Sequence, residues 1–141
     1  MKIENQVVSL ELAKRMVELG FRQESYFTWV LRHGRWSVWD EGTMSECETG
    51  MEKRKVCAYT VAELGEMMPG VIDKGGKLYY LSPCAGGNGV RAISYVTYRD
   101  GVGFFLTGHP VIYEKTEADA RAKMLIYLAE QKLIDPNPPT P

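Results

Sequence analysis

Residues 116–133, TEADARAKMLIYLAEQKL, constrain the fold more than any other stretch of this chain. Thr116 is an N-cap residue whose hydroxyl can accept from an orphaned backbone N–H. Asp119 stands three residues on, where its carboxylate can reach back to the cap as a short capping box. Glu117 and Asp119 place negative charge at the positive end of the helix dipole, and Lys132 places positive charge near the other end. Asp135-Pro136 blocks much continuation, because a residue before proline is pushed out of the α region. Ala118, Ala122, Leu125, Ile126, Ala129 and Leu133 form one stripe at helical spacing, widened by Met124, Tyr127 and Leu128. So wide a stripe implies burial on more than one side, against a sheet and a second helix or subunit.

The preceding segments read as the partners of that helix. Ser9 opens a first helix to about Leu19, with Leu10, Ala13, Met16 and Val17 on its apolar side and Gly20 as its C′ residue. Residues 26–32 and 35–40 are aromatic and β-branched strands, joined at His33-Gly34 by a two-residue turn. In that register Phe27, Trp29, Leu31, Trp36 and Val38 share one face, and Tyr26, Thr28, Val30, Ser37 and Trp39 share the other. Arg32 then faces Arg35, a mild like-charge cost. Either the turn is longer than two residues or something anionic visits it.

Residues 42–54 have no clean period and read as a loop or ragged edge; residues 55–59 read as a short strand. Thr60 with Glu63 is a capping box for a second helix that ends at Pro69-Gly70. Gly65 inside it suggests a close approach by a strand. Residues 77–82 form a strand and 83–89 a loop. Residues 90–99 and 102–107 form a hairpin about Asp100-Gly101. Gly108-His109-Pro110 turns the chain into a last strand, 111–115.

The fold class is therefore α+β: an antiparallel sheet of about four to six strands with three helices, the C-terminal helix packed across the sheet. Residues 1–134 make one domain, and 135–141, DPNPPTP, a proline-rich flexible tail.

Composition narrows the function. The net charge of -1, from 17 basic and 18 acidic residues, disfavours nucleic acid as a partner. The N-terminus lacks the apolar core of a secretory signal, and no run approaches the roughly 20 apolar residues of a membrane span. Cys47, Cys57 and Cys84, odd in number and widely spaced, read as reduced thiols of a cytoplasmic protein. With His33 and His109 they form no zinc-ligand spacing, so neither a metal nor another cofactor is called for. A Cys84–His109 nucleophile would need the fold to unite two distant loops. Residues 85–89, AGGNG, look like a phosphate cradle, but they lead into a strand, whereas phosphate loops lead into a helix. No catalytic residue is assigned.

The candidate binding patch is Tyr26, Arg32, His33, Arg35 and Trp39, aromatic and basic together, suited to a protein or an anionic, stackable ligand. Three stretches, VVSLELAKRMVELGFRQESYFTWV, AYTVAELGEMMPG and TEADARAKMLIYLAEQKLI, resemble an uncharacterised family of short proteins. Phages, prophages and other mobile elements of anaerobic gut bacteria carry that family. The resemblance implies an accessory protein that binds host or phage proteins, or a second copy of itself, and it brings no catalytic residue. The main reading is a non-enzymatic interaction module. The alternative is a small-molecule or nucleotide binder, with a hydrolase within that class. Its pocket would lie between the sheet and loops 42–54 and 83–89, near Cys84, Arg91 and His109.

Overall fold

The computed structural model describes residues 2–40, 55–85, 89–105 and 111–138. Within them the fold is α+β, with three α-helices and two antiparallel sheets. The helices are α1 (Leu10–Glu18), α2 (Val61–Met67) and α3 (Glu117–Glu130). One sheet has the order β2-β1-β3, from β1 (Phe27–Arg32), β2 (Arg35–Asp40) and β3 (Lys55–Cys57). The other has the order β4-β5-β6-β7, from β4 (Val71–Lys74), β5 (Lys77–Ala85), β6 (Arg91–Arg99) and β7 (Val102–Phe105). In it β8 (Val111–Glu114) pairs with β6 beside β7.

The C-terminal helix is the centre of the packing. Ala118, Ala120, Ala122, Met124, Leu125, Ile126 and Leu128 are all buried, which takes in most of its circumference. It touches α1, α2, β6 and β8, so burial on more than one side is what the structure shows. Thr116 caps it by accepting from the Asp119 N–H at 3.2 Å. The helix ends at Glu130, short of the expected Leu133, because Lys132 turns left-handed at φ 57. Lys132 N–H then bonds Ala129 O and Leu133 N–H bonds Leu128 O, the paired bonds of a Schellman stop.

Asp119 does not close the expected capping box. Its Oδ1 instead accepts from the Ser9 backbone N–H at 2.7 Å, tying the entry of α1 to the first turn of α3. The Ser9 side chain makes no capping bond. On α1 the buried residues are Ala13 and Met16, whereas Val17 is 42% exposed, so the apolar face is rotated from the expected one. Gly20 takes φ 87 and lets Phe21 N–H reach Met16 O, as its C′ position requires.

The capping box of α2 is complete: Thr60 Oγ1 accepts from Glu63 N–H and Glu63 Oε2 from Thr60 N–H. Glu63 Oε1 also accepts from Tyr26 N–H at 2.8 Å, which fixes the start of β1 to α2. Among the described residues no strand comes within 4 Å of a Cβ built on Gly65. A Cβ there would lie 2.9 Å from the Arg121 guanidinium of α3, which Glu117 holds at 2.7 Å.

Two features of the second sheet depart from the expectation. β4 forms a hairpin with β5 about Gly75-Gly76, both at positive φ, with Gly76 N–H bonded to Asp73. Residues 83–85 are strand, not loop: Pro83 lies opposite Ile93 and Cys84 opposite Ala92. Pro83 is tolerated because β4 pairs no farther than Tyr80, leaving β5 an edge on that side. Loop 42–54, the Gly108-His109-Pro110 turn and residues 139–141 lie outside the described residues.

The Ser9–Asp119 bond joins a charged acceptor to a partly buried donor, a class worth about 1.5–3 kcal/mol. Asp119→Ala is expected to lower the unfolding free energy by roughly that amount in urea titrations, with the slope unchanged.

Candidate functional site

The β1–β2 hairpin turns in two residues, with His33 at φ 52 and Gly34 at φ 72, and Arg32 faces Arg35 as the sequence indicates. Along β1 and β2, Thr28, Val30, Arg32, Arg35, Ser37 and Trp39 share one face, with Lys55 of β3 beside Val30. The Trp39 indole donates to Ser37 Oγ at 2.7 Å, and the Arg32 guanidinium lies 5.5 Å from its ring centroid. Arg32 and Trp39 thus reach toward each other across the Val30–Ser37 pair, and Val30 is fully buried. The other face is covered from α1 and the N-terminal arm. Trp29 Nε1 donates to Val8 O at 2.9 Å, and Lys14 Nζ sits 4.9 Å from the Trp36 ring.

The five patch residues therefore separate. Arg32, His33 and Arg35 are exposed together at the tip, and Trp39 is half-buried beneath Arg32. Tyr26, 68% exposed, stands at the far end of β1, about 20 Å of extended chain from the tip. At Trp39 one approach to the ring is taken by the Arg32 guanidinium.

A second surface escaped the sequence reading. On the side of the second sheet away from Tyr79, Tyr95 and Ile93, strand alternation gathers Val71, Leu78, Tyr80 and Tyr98 at one corner. All four are between 45% and 65% exposed. Val71 faces Tyr80, and the Tyr98 ring lies over Gly103, where a Cβ would be 3.5 Å from it. Asp73 is the one charged residue on the described part of this face. Tyr113, also exposed, stands at the opposite end, across from Ala92. The Gly-Gly turn flanked by VI and LYY was the signal that would have placed β4 and completed the corner.

Among the described residues, the Cys57 thiol is buried in the core. Burial pushes the Cys57 thiol up, against the smaller opposing effect of Ser25 and Tyr59, so the thiolate is disfavoured. Tyr59 donates to Arg22 O and accepts from Gln23 at 3.2 Å, while Gln23 Oε1 takes the Cys57 N–H. Arg91 is exposed opposite Glu114. Cys47 and His109 lie outside the described residues, as does any meeting of the Cys84 and His109 side chains. Among the described residues no group of three His, Cys, Asp or Glu side chains gathers to hold a metal, and no helix is long and apolar enough to cross a membrane. No protein-family model, curated protein or solved structure matches the chain.

Burial also raises Tyr59 and Tyr95 well above the ordinary tyrosine range; the Tyr95 hydroxyl donates to Pro69 O at 2.6 Å. An acid whose folded pKa is raised contributes stability that is complete below its unfolded pKa, about 10, and lost as pH climbs beyond it. The urea midpoint should therefore fall as pH rises past about 10, and Tyr95→Phe should make that fall shallower.

Proposed function

We propose that the protein is a non-enzymatic interaction module, an accessory protein of a mobile genetic element that works in the cytoplasm. Its working surface is the tyrosine corner of the second sheet. The observation that carries this reading is the exposure of Val71, Leu78, Tyr80 and Tyr98 side by side with almost no charge among them. A corner of that composition presents on the order of a few hundred Å² of apolar surface, the size at which such patches mark interaction sites. Tyrosine is suited to the role, because its ring contributes contact area at low entropic cost and its hydroxyl stays satisfied when wet. The partner is a host or phage protein, or a second copy of the chain.

The supporting argument is one of placement. The corner lies on the face turned away from the core, so nothing in the packing of α3 requires its side chains to be apolar. Apolar side chains gathered on an outward face, and not scattered singly, are the kind of surface that an external contact uses.

The double variant Tyr80→Ser/Tyr98→Ser tests this. Its unfolding free energy is expected to stay within about 1 kcal/mol of the unsubstituted protein. In light scattering and in parallel capture from host lysate, it should lose whatever protein the unsubstituted chain retains, itself included. Retention of the same partner by both would overturn the assignment.

A further inference from the structure

We infer that the β1–β2 hairpin is a second docking surface, which takes an acidic, extended peptide segment as an added strand along β2. This surface is separate from the tyrosine corner and does not rest on its role. Three observations support it. First, β2 is the outermost strand of its sheet among the described residues. The turn closes on Arg32 and Arg35, so that pair exchanges backbone bonds, as do Val30 with Ser37 and Thr28 with Trp39 by alternation. The N–H and C=O groups of Trp36 and Val38 consequently point away from β1, toward an incoming strand.

Second, the Arg32 face of this sheet carries only positive charge among the described residues, while Asp40, at the far end of β2, lies on the opposite face. Arg32, Arg35 and Lys55 share a face, His33 caps the tip, and no ion pair joins any of the three cations to another described residue. Two arginines directly opposite each other repel, and an anion between them removes the cost. Arg32 lies 5.5 Å from the Trp39 ring centroid, within cation–π range, which favours a guanidinium placed over the hairpin face.

Third, the indoles are already occupied. Arg32 lies over Trp39 and Lys14 over Trp36, so the hairpin offers cations and backbone where a base-stacking surface would offer open rings. That favours a peptide over a single-stranded nucleic acid, whose affinity for such a surface comes from stacking as well as charge. In the added strand, alternate carboxylates fall on the arginine face, one of them opposite Arg35. The residues between them fall on the face of Trp36 and Val38, so apolar side chains suit those positions.

The test uses a fluorescein-labelled peptide of alternating glutamate and valine, the same peptide with lysine for glutamate, and oligothymidylate. The glutamate peptide is expected to bind, with affinity that falls as salt is raised and about tenfold or more in Arg35→Glu. The lysine peptide should not bind, and Val38→Pro, which removes an outward N–H, should abolish binding. Amide exchange keeps the proposal testable should Val38→Pro fail to fold. The Val38 amide, exposed in the free protein, should become protected with peptide, while the Ser37 amide changes little. Equal binding of the two peptides, no binding of the glutamate peptide, binding without protection of Val38, or oligothymidylate binding that exceeds the peptide's would each overturn it.

Discussion

The structure depends on one constraint: α3 must be covered on nearly every side. Its N-terminal half is lined by Ala118, Ala120 and Ala122, all fully buried, and side chains that small let neighbouring elements approach closely. Its C-terminal half carries Met124, Leu125 and Leu128, also fully buried. Removing such a side chain from a packed core costs about 2–5 kcal/mol, comparable with much of a domain's net stability. The sheet supplies Ile93, Tyr95 and Ile112 from below, and α1 and α2 supply Met16 and Leu64 from the flanks. Polar links then set the angles of approach. Asp119 holds Ser9, Glu117 orients Arg121 against Gly65, and Glu63 joins α2 to Tyr26.

Because the second sheet packs its inner face on α3 and the first packs its own under α1 and the N-terminal arm, interaction chemistry is left to the outside. The two sheets offer different outsides. The second presents tyrosine, leucine and valine with little charge; the first presents arginine and lysine, with Trp36 and Trp39 each beneath a cation. A neutral aromatic corner suits a folded protein surface, and an edge strand beside a cationic sheet face suits an extended acidic chain. The two surfaces can therefore act independently on one scaffold.

Much of the local structure was legible because it is encoded by neighbours in sequence. Thr60 with Glu63, His33-Gly34, Asp100-Gly101 and Gly20 each specify a backbone geometry through their own chemistry, and each appears as read. The opposition of Arg32 and Arg35 followed from the turn alone. Gly75-Gly76 carried the same kind of signal and was passed over, while Pro83 obscured the end of β5. The division into two sheets was not legible, since it rests on β3 choosing β1, a pairing between distant segments. Which side of α1 faces inward was decided by α3, which takes Met16 and leaves Val17 in water.

For the site, alternation placed Arg32 and Trp39 on one face, but not what their side chains do there. Strand periodicity gives a direction perpendicular to the sheet. It does not show that Trp39 leans toward Ser37 and that Arg32 meets it over the same pair. Long side chains lie along a strand as readily as they stand off it, and that choice brings Arg32 over the Trp39 ring.

The claim that α3 is the keystone is tested most directly by native-state hydrogen exchange. The amides of Met124, Leu125 and Leu128, with those of Ile93 and Tyr95 on β6, should exchange only through global unfolding and share its free energy. Exchange of the α3 amides at a free energy well below the global value, with β6 still protected, would contradict the account.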